Sequence, residues 1–90
     1  MSTVFEYTSY KDYLRYLLAE RSEVRGYQSQ LSKAAGCQAS YLSQALKTKV
    51  ELTPDHAVGI GSFLQMNETE LDYFLNLVLY SRATLPALKE

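Results

Sequence analysis

The stretch from Gln28 to Lys49, QSQLSKAAGCQASYLSQALKTK, limits what this chain can fold into more than any other. Leu31, Ala34 and Ala35 precede a glycine at 36, and Leu42, Ala45 and Leu46 follow it. Both groups sit at helical spacing, which predicts two short helices. Gly36 lies where the first must stop and the chain turn sharply, a position that favours a residue tolerant of positive φ. Cys37 follows as a small apolar plug, and Gln38-Ala39-Ser40 makes a polar opening for the second helix. The pattern is helix, tight turn, helix.

The second helix of the pair puts Gln38, Ala39, Ser40, Ser43, Gln44 and Lys47 on one side and its apolar residues on the other. A hydrophobic core has no use for that polar side. The DNA major groove does, because base edges there present mixed donors and acceptors. Gln38 and Gln44 each donate and accept, which suits N6 and N7 of adenine, and Ala39 suits the thymine methyl. Ser40 and Ser43 are permissive. No arginine lies on this side, so the strongest guanine contact is missing unless Lys47 supplies it. A modest base preference with an A·T bias is expected. Gln28 starts the first helix of the pair, where side chain and backbone N–H groups suit a phosphate. Lys47 and Lys49 leave the second helix in similar directions, which suits the phosphate backbone bordering a groove, although both also make sense as plain solvated charges.

The overall net charge of −1 argues against a nucleic-acid binder until it is located along the chain. Residues 24–50 carry Arg25, Lys33, Lys47 and Lys49 with no acid, a net +4. Residues 51–76 carry Glu51, Asp55, Glu68, Glu70 and Asp72 with no base, a net −5. The all-basic block coincides with the helix pair. A hydrophobic content of 47% argues against disorder, and 90 residues suit one domain. The single cysteine permits no internal disulfide and no cysteine metal cluster, so Cys37 is read as a buried thiol. No basic stretch followed by an apolar run opens the chain, and no segment approaches ~20 apolar residues. A cytoplasmic protein without membrane association is expected.

The remaining elements are predicted to be helical as well. Residues 1–8 form a lead-in without Lys or Arg, whose Val4, Phe5 and Tyr7 pack on the core. A first helix is predicted from Ser9 to Val24, capped by Thr8 or Ser9 and ended by Arg25-Gly26. Tyr10, Tyr13, Leu14, Leu17 and Leu18 make its buried face. Lys11, Arg15 and Arg21 are candidate phosphate contacts on it. Residues 47–52 are a loop, and Tyr41, in the helix before it, either meets the core or offers its hydroxyl to a phosphate. The fourth helix begins with the cap Thr53, then Pro54 and Asp55. It carries Ala57, Ile60, Gly61 and Leu64 as a stripe, with His56 at the surface. Gly59 and Gly61 inside it predict close approach of a neighbouring helix. The last helix is capped by Asn67 with Glu70 three residues on. Its Leu71, Phe74, Leu75 and Val78 form one face and Tyr73, Leu77 and Tyr80 a second. That second face predicts a partner, either another copy or a following domain, unless the first helix and the lead-in cover it. Residues 83–90 read as a tail or the start of a linker.

The run L-S-K-A-A-G-C-Q-A-S-Y-L-S-Q-A-L resembles the helix-turn-helix of Cro/lambda-repressor-like (Xre-type) proteins. Leu31 falls on the fixed apolar position of the first motif helix, Ser32 on the position that is usually alanine, and Gly36 on the turn glycine. Cys37 takes the apolar position after it and Leu42 the buried position of the second helix. VFEYTSYKDYLR, SYLSQALKTKVELTPDHA and ETELDYFLNLVLYSRA are similar to the N-terminal part of a longer bacterial family of predicted transcriptional regulators. The resemblance covers about residues 9–82. It implies an all-α fold: a compact five-helix lambda-repressor-like DNA-binding domain with a central helix-turn-helix. It also implies double-stranded DNA as partner, with the second motif helix in the major groove. Carried over by position, Gln28, Lys33 and Lys47 meet phosphates, and Gln38, Ala39, Ser40, Ser43 and Gln44 face bases.

Two rival readings remain. A protein-interaction module could keep this fold and lose DNA binding, which the overall acidity and the missing arginine favour. An enzyme is disfavoured, since no Ser-His-acid set, metal spacing or Gly-rich phosphate loop is present. No cofactor, catalytic residue or metal ligand is expected.

Overall fold

The computed structural model describes residues 3–83, so residues 1–2 of the lead-in and 84–90 of the tail lie outside the described residues. Among the described residues there are five α-helices and no strand. A 3-10 turn, Val4–Glu6, leads into α1 (Tyr10–Glu20), α2 (Tyr27–Ala35), α3 (Ala39–Lys47), α4 (Pro54–Phe63) and α5 (Glu68–Arg82).

Three of the five helix starts, those of α1, α4 and α5, are held by a side-chain cap. Ser9 caps α1 by accepting from the Asp12 N–H at 3.4 Å. Thr53 caps α4, with its Oγ1 accepting from the His56 N–H at 3.2 Å and its own N–H donating to His56 Nδ1 at 3.1 Å. His56 is therefore half-buried in a reciprocal cap rather than a plain surface residue. Asn67 and Glu70 make the same reciprocal cap on α5, with both bonds 2.8 Å long.

α1 ends about four residues before the predicted Val24, and the chain turns through residues 21–26. Gly26 adopts φ +74° directly before α2, so it sets the entry of α2 rather than the exit of α1. The long apolar stripe of α1 stops at Leu18. Nothing beyond it on that face holds a further turn of helix against the core.

The helices pack pairwise in a closed circuit, α1 on α3, α3 on α2, α2 on α4, α4 on α5 and α5 on α1. The core inside the circuit holds Tyr10, Leu14, Leu31, Leu42, Leu52, Ile60, Phe74 and Val78, all fully buried. Tyr13 meets Phe74 edge-on with ring centres 6.1 Å apart. α2 and α4 approach each other closely at Gly59. A Cβ on Gly59 would lie 2.0 Å from the Ala34 carbonyl oxygen, so only glycine lets these backbones touch. A Cβ on Gly61 would meet Leu71 Cδ1 at 2.6 Å.

Candidate functional site

The turn between α2 and α3 is closed by backbone bonds alone. Gly36 takes φ +86°. Its N–H is 3.0 Å from both the Ser32 and the Lys33 carbonyls, and the Cys37 N–H donates to the Ser32 carbonyl at 3.0 Å. This is the left-handed termination that satisfies the last carbonyls of a helix. Ser32 is buried, and its hydroxyl donates to the Ser29 carbonyl at 2.9 Å, so a serine is accommodated without an unpaired polar group. Cys37 is half-buried, and burial pushes its thiol above the ordinary range.

α3 is anchored by its inner side. Leu42, Ala45 and Leu46 are buried. Its outer side presents Ala39, Ser40, Gln44 and Lys47, all exposed, with Gln38 exposed at the N-cap. From Gln38 to Lys47 this side runs ~13 Å at 1.5 Å per residue. Ser43 differs from its neighbours in being half-buried, in an open seam where α1, α2 and α3 meet. Gln28 and Lys47 share that seam, with Arg15, Leu18 and Leu46 as its other walls. At about 210 Å³ the seam is smaller than a typical small-molecule pocket. Gln28, Ser43 and Lys47 are thus brought together. Lys33 is exposed near the end of α2 and Lys49 is exposed in the loop after α3, both outside the seam.

Both cations of α1 donate to the end of α3 and the loop after it. Arg15 Nε donates to the Leu46 carbonyl at 2.7 Å, its Nη2 donates to the same oxygen, and its Nη1 donates to Asp12 at 2.7 Å. Lys11 Nζ donates to the Thr48 and Val50 carbonyls at 2.7 and 2.9 Å. Cations belong at a helix C-terminus, where the last carbonyls lack intrahelical partners. Lys11 and Arg15 therefore cap α3 and its exit, a role their reading as candidate phosphate contacts does not include. Arg21 lies 5.9 Å from the centre of the Tyr27 ring. The Tyr41 hydroxyl donates to the Glu51 carbonyl at 2.8 Å, which commits it inward as well.

The second face of α5 divides. The Tyr73 hydroxyl donates to the Tyr7 carbonyl at 2.5 Å, and its ring meets Phe5 edge-on. Leu77 is half-buried against the core. Tyr80 is exposed, as is its neighbour Leu79. Part of this face is thus covered by the lead-in.

Comparison of the chain with protein-family models, with curated proteins and with solved structures finds no match. Among the described residues no group of three His, Cys, Asp or Glu comes together to hold a metal ion. No helix of the described residues is long and apolar enough to cross a membrane.

Sequence reasoning missed Glu51, whose carboxylate accepts from the Tyr10 and Ser81 hydroxyls behind α3, and the roles of Lys11 and Arg15 at the end of α3. A signal for the last two exists. They follow Tyr10 and Leu14 by one position each, at the edge of the buried stripe, where a long cation can fold over the rim.

Proposed function

We propose that this chain binds double-stranded DNA in a sequence-dependent way, as a bacterial transcriptional regulator or the DNA-binding part of one. In this reading the fold is of the Cro/lambda-repressor-like helix-turn-helix type. α3 enters the major groove, Gln38, Ala39, Ser40, Ser43 and Gln44 face base edges, and Gln28, Lys33, Lys47 and Lys49 border the phosphate backbone. It is a binding protein of the cytoplasm, not an enzyme.

The observation that carries the reading is the two-sidedness of α3. One side is locked into the core through Leu42, Ala45 and Leu46. The other exposes glutamine, alanine, serine and lysine, in the only long stretch of sequence that has bases and no acids. Solvation alone does not require two neutral amides on the outer side of a helix held this firmly, and base edges have a use for them.

The test is selection from a pool of random duplexes with the wild-type chain and with Gln44→Ala. The reading expects an enriched motif that the substitution relaxes at one or two base pairs, at a cost of about 1–3 kcal/mol there. Enrichment of no motif by a folded sample, at low salt, contradicts it.

A further inference from the structure

The loop that leaves α3 is gripped by side chains of α1, α3 and α5, and one carboxylate in it joins α1 to α5. Glu51 Oε1 accepts from the Tyr10 hydroxyl of α1 and from the Ser81 hydroxyl of α5, both at 2.8 Å. Its Oε2 lies 3.6 Å from Lys11 Nζ. The Tyr10 oxygen in turn accepts from the Leu52 N–H at 3.0 Å, and Arg82 Nη1 donates to the Leu52 carbonyl at 3.1 Å. With Lys11 on the Thr48 and Val50 carbonyls and Tyr41 on that of Glu51, four of the five carbonyls from Thr48 to Leu52 accept from a side chain. The fifth belongs to Lys49, whose side chain is exposed.

A surface loop of this length ordinarily hydrogen-bonds to water and moves. This one is held by charge-assisted bonds at low exposure, and the Glu51 and Lys11 side chains are only 20% and 11% exposed. In the core the arrangement serves only the Tyr10 hydroxyl, and Leu52 supplies the loop's fully buried apolar anchor. The arrangement also fixes the direction of the backbone at residues 48–50, and with it the root of the Lys49 side chain.

We propose that Glu51 is a positioning residue. Its carboxylate ties the exit of α3 to α1 and to the last turn of α5, and so sets where Lys49 meets a phosphate. The second half rests on the DNA reading above; the first does not. Glu51 touches no ligand in this account and acts only through the loop.

Two measurements test it. The first is amide hydrogen exchange at Thr48, Val50 and Leu52, the loop amides that make hydrogen bonds, in the free protein, for wild type, Glu51→Gln and Glu51→Ala. The amide oxygen of Gln keeps acceptors for Tyr10 and Ser81, so Glu51→Gln is expected to stay within about threefold of wild type. Glu51→Ala is expected to speed exchange at these three amides by tenfold or more while the amides of Leu31 and Ile60 keep their protection. Unchanged exchange in the loop of folded Glu51→Ala overturns the proposal, whether or not the chain binds DNA. Should Glu51→Ala fail to fold, Ser81→Ala removes one arm of the clamp and is expected to move the same amides in the same direction.

The second measurement is a double-mutant cycle on duplex affinity near 0.1 M salt. Lys49→Ala is expected to weaken wild type roughly five- to tenfold and to reduce the salt slope by about 0.9. In the Glu51→Ala background, where Lys49 is no longer aimed, the same change is expected to cost less than about twofold. Equal losses in both backgrounds overturn the positioning of Lys49. Wild type that binds no duplex defeats the DNA reading instead, and loop exchange alone then decides what Glu51 does.

Discussion

At the scale of single residues, Gly59 shows how packing reverses a propensity. In an open helix, alanine in place of glycine stabilises by about 1 kcal/mol. Here the added Cβ would sit 2.0 Å from a backbone oxygen of α2, and backbone cannot swing aside as a side chain can. Gly59→Ala is expected to destabilise by roughly 3 kcal/mol, at the upper end of overpacking, and to lower Tm by more than 10 °C in a thermal melt. Gly36→Ala meets no atom within 4 Å and suffers only the strain of φ +86°, about 1–2 kcal/mol. Tyr10 makes a second residue-level prediction. Burial pushes its hydroxyl well above the ordinary tyrosine value of 10.0, with the Leu52 N–H opposing and the Glu51 carboxylate reinforcing the shift. Tyr13 is raised too, again chiefly by burial. The folded state holds these protons more tightly than the unfolded state does. Their contribution to stability is complete below about pH 10 and declines as pH rises past it. Denaturant melts between pH 8 and 11 are expected to show this loss. Tyr10→Phe is expected to be less stable at pH 8, because two hydrogen bonds are gone, yet to lose less on going to pH 11.

At the scale of elements, α3 has two sides that answer differently to substitution. Leu42 is 0% exposed, and Leu42→Ala is expected to cost about 2–5 kcal/mol of stability in a denaturant melt. Gln44→Ala is expected to change stability by less than about 0.5 kcal/mol, because Gln44 is exposed and the loss falls on any ligand instead. Much of this element was legible in the sequence. Leu31, Gly36, Leu42 and Leu46 announce two apolar stripes and a positive-φ break, and both signals are local. Thr53, Pro54, Asn67 and Glu70 announce helix starts for the same reason. The end of α1 was not legible, because Val24 continues an acceptable helical composition and only the absence of packing beyond Leu18 stops the helix. The clamp behind α3 was not legible either. Tyr10 and Glu51 are 41 positions apart, and no periodicity links a carboxylate in a loop to a tyrosine in a core stripe. The candidate base-facing set came from pattern alone. The half-burial of Ser43 in the seam beside Gln28 needed the crossing of α1 over the helix pair.

At the scale of the whole molecule, charge separates along the chain into a basic segment around α2 and α3 and an acidic one around α4 and the start of α5. A net charge of −1 is therefore compatible with an anionic partner on one side. The arrangement also limits affinity. Three or four cations and helix ends near one backbone predict a slope of log K against log salt of roughly −3 for one copy of the domain, and about twice that for two copies on adjacent half-sites. The most direct test of the central claim is a titration of the isotope-labelled chain with a short duplex at low salt, following backbone amide shifts. The account predicts shifts confined to residues 28, 33, 38–40, 43–44 and 47–49, reversed by added salt, with the amides of residues 76–80 on α5 unmoved. Shifts that cluster on α5 while residues 38–49 stay still would contradict it, and so would a spectrum that duplex DNA leaves unchanged.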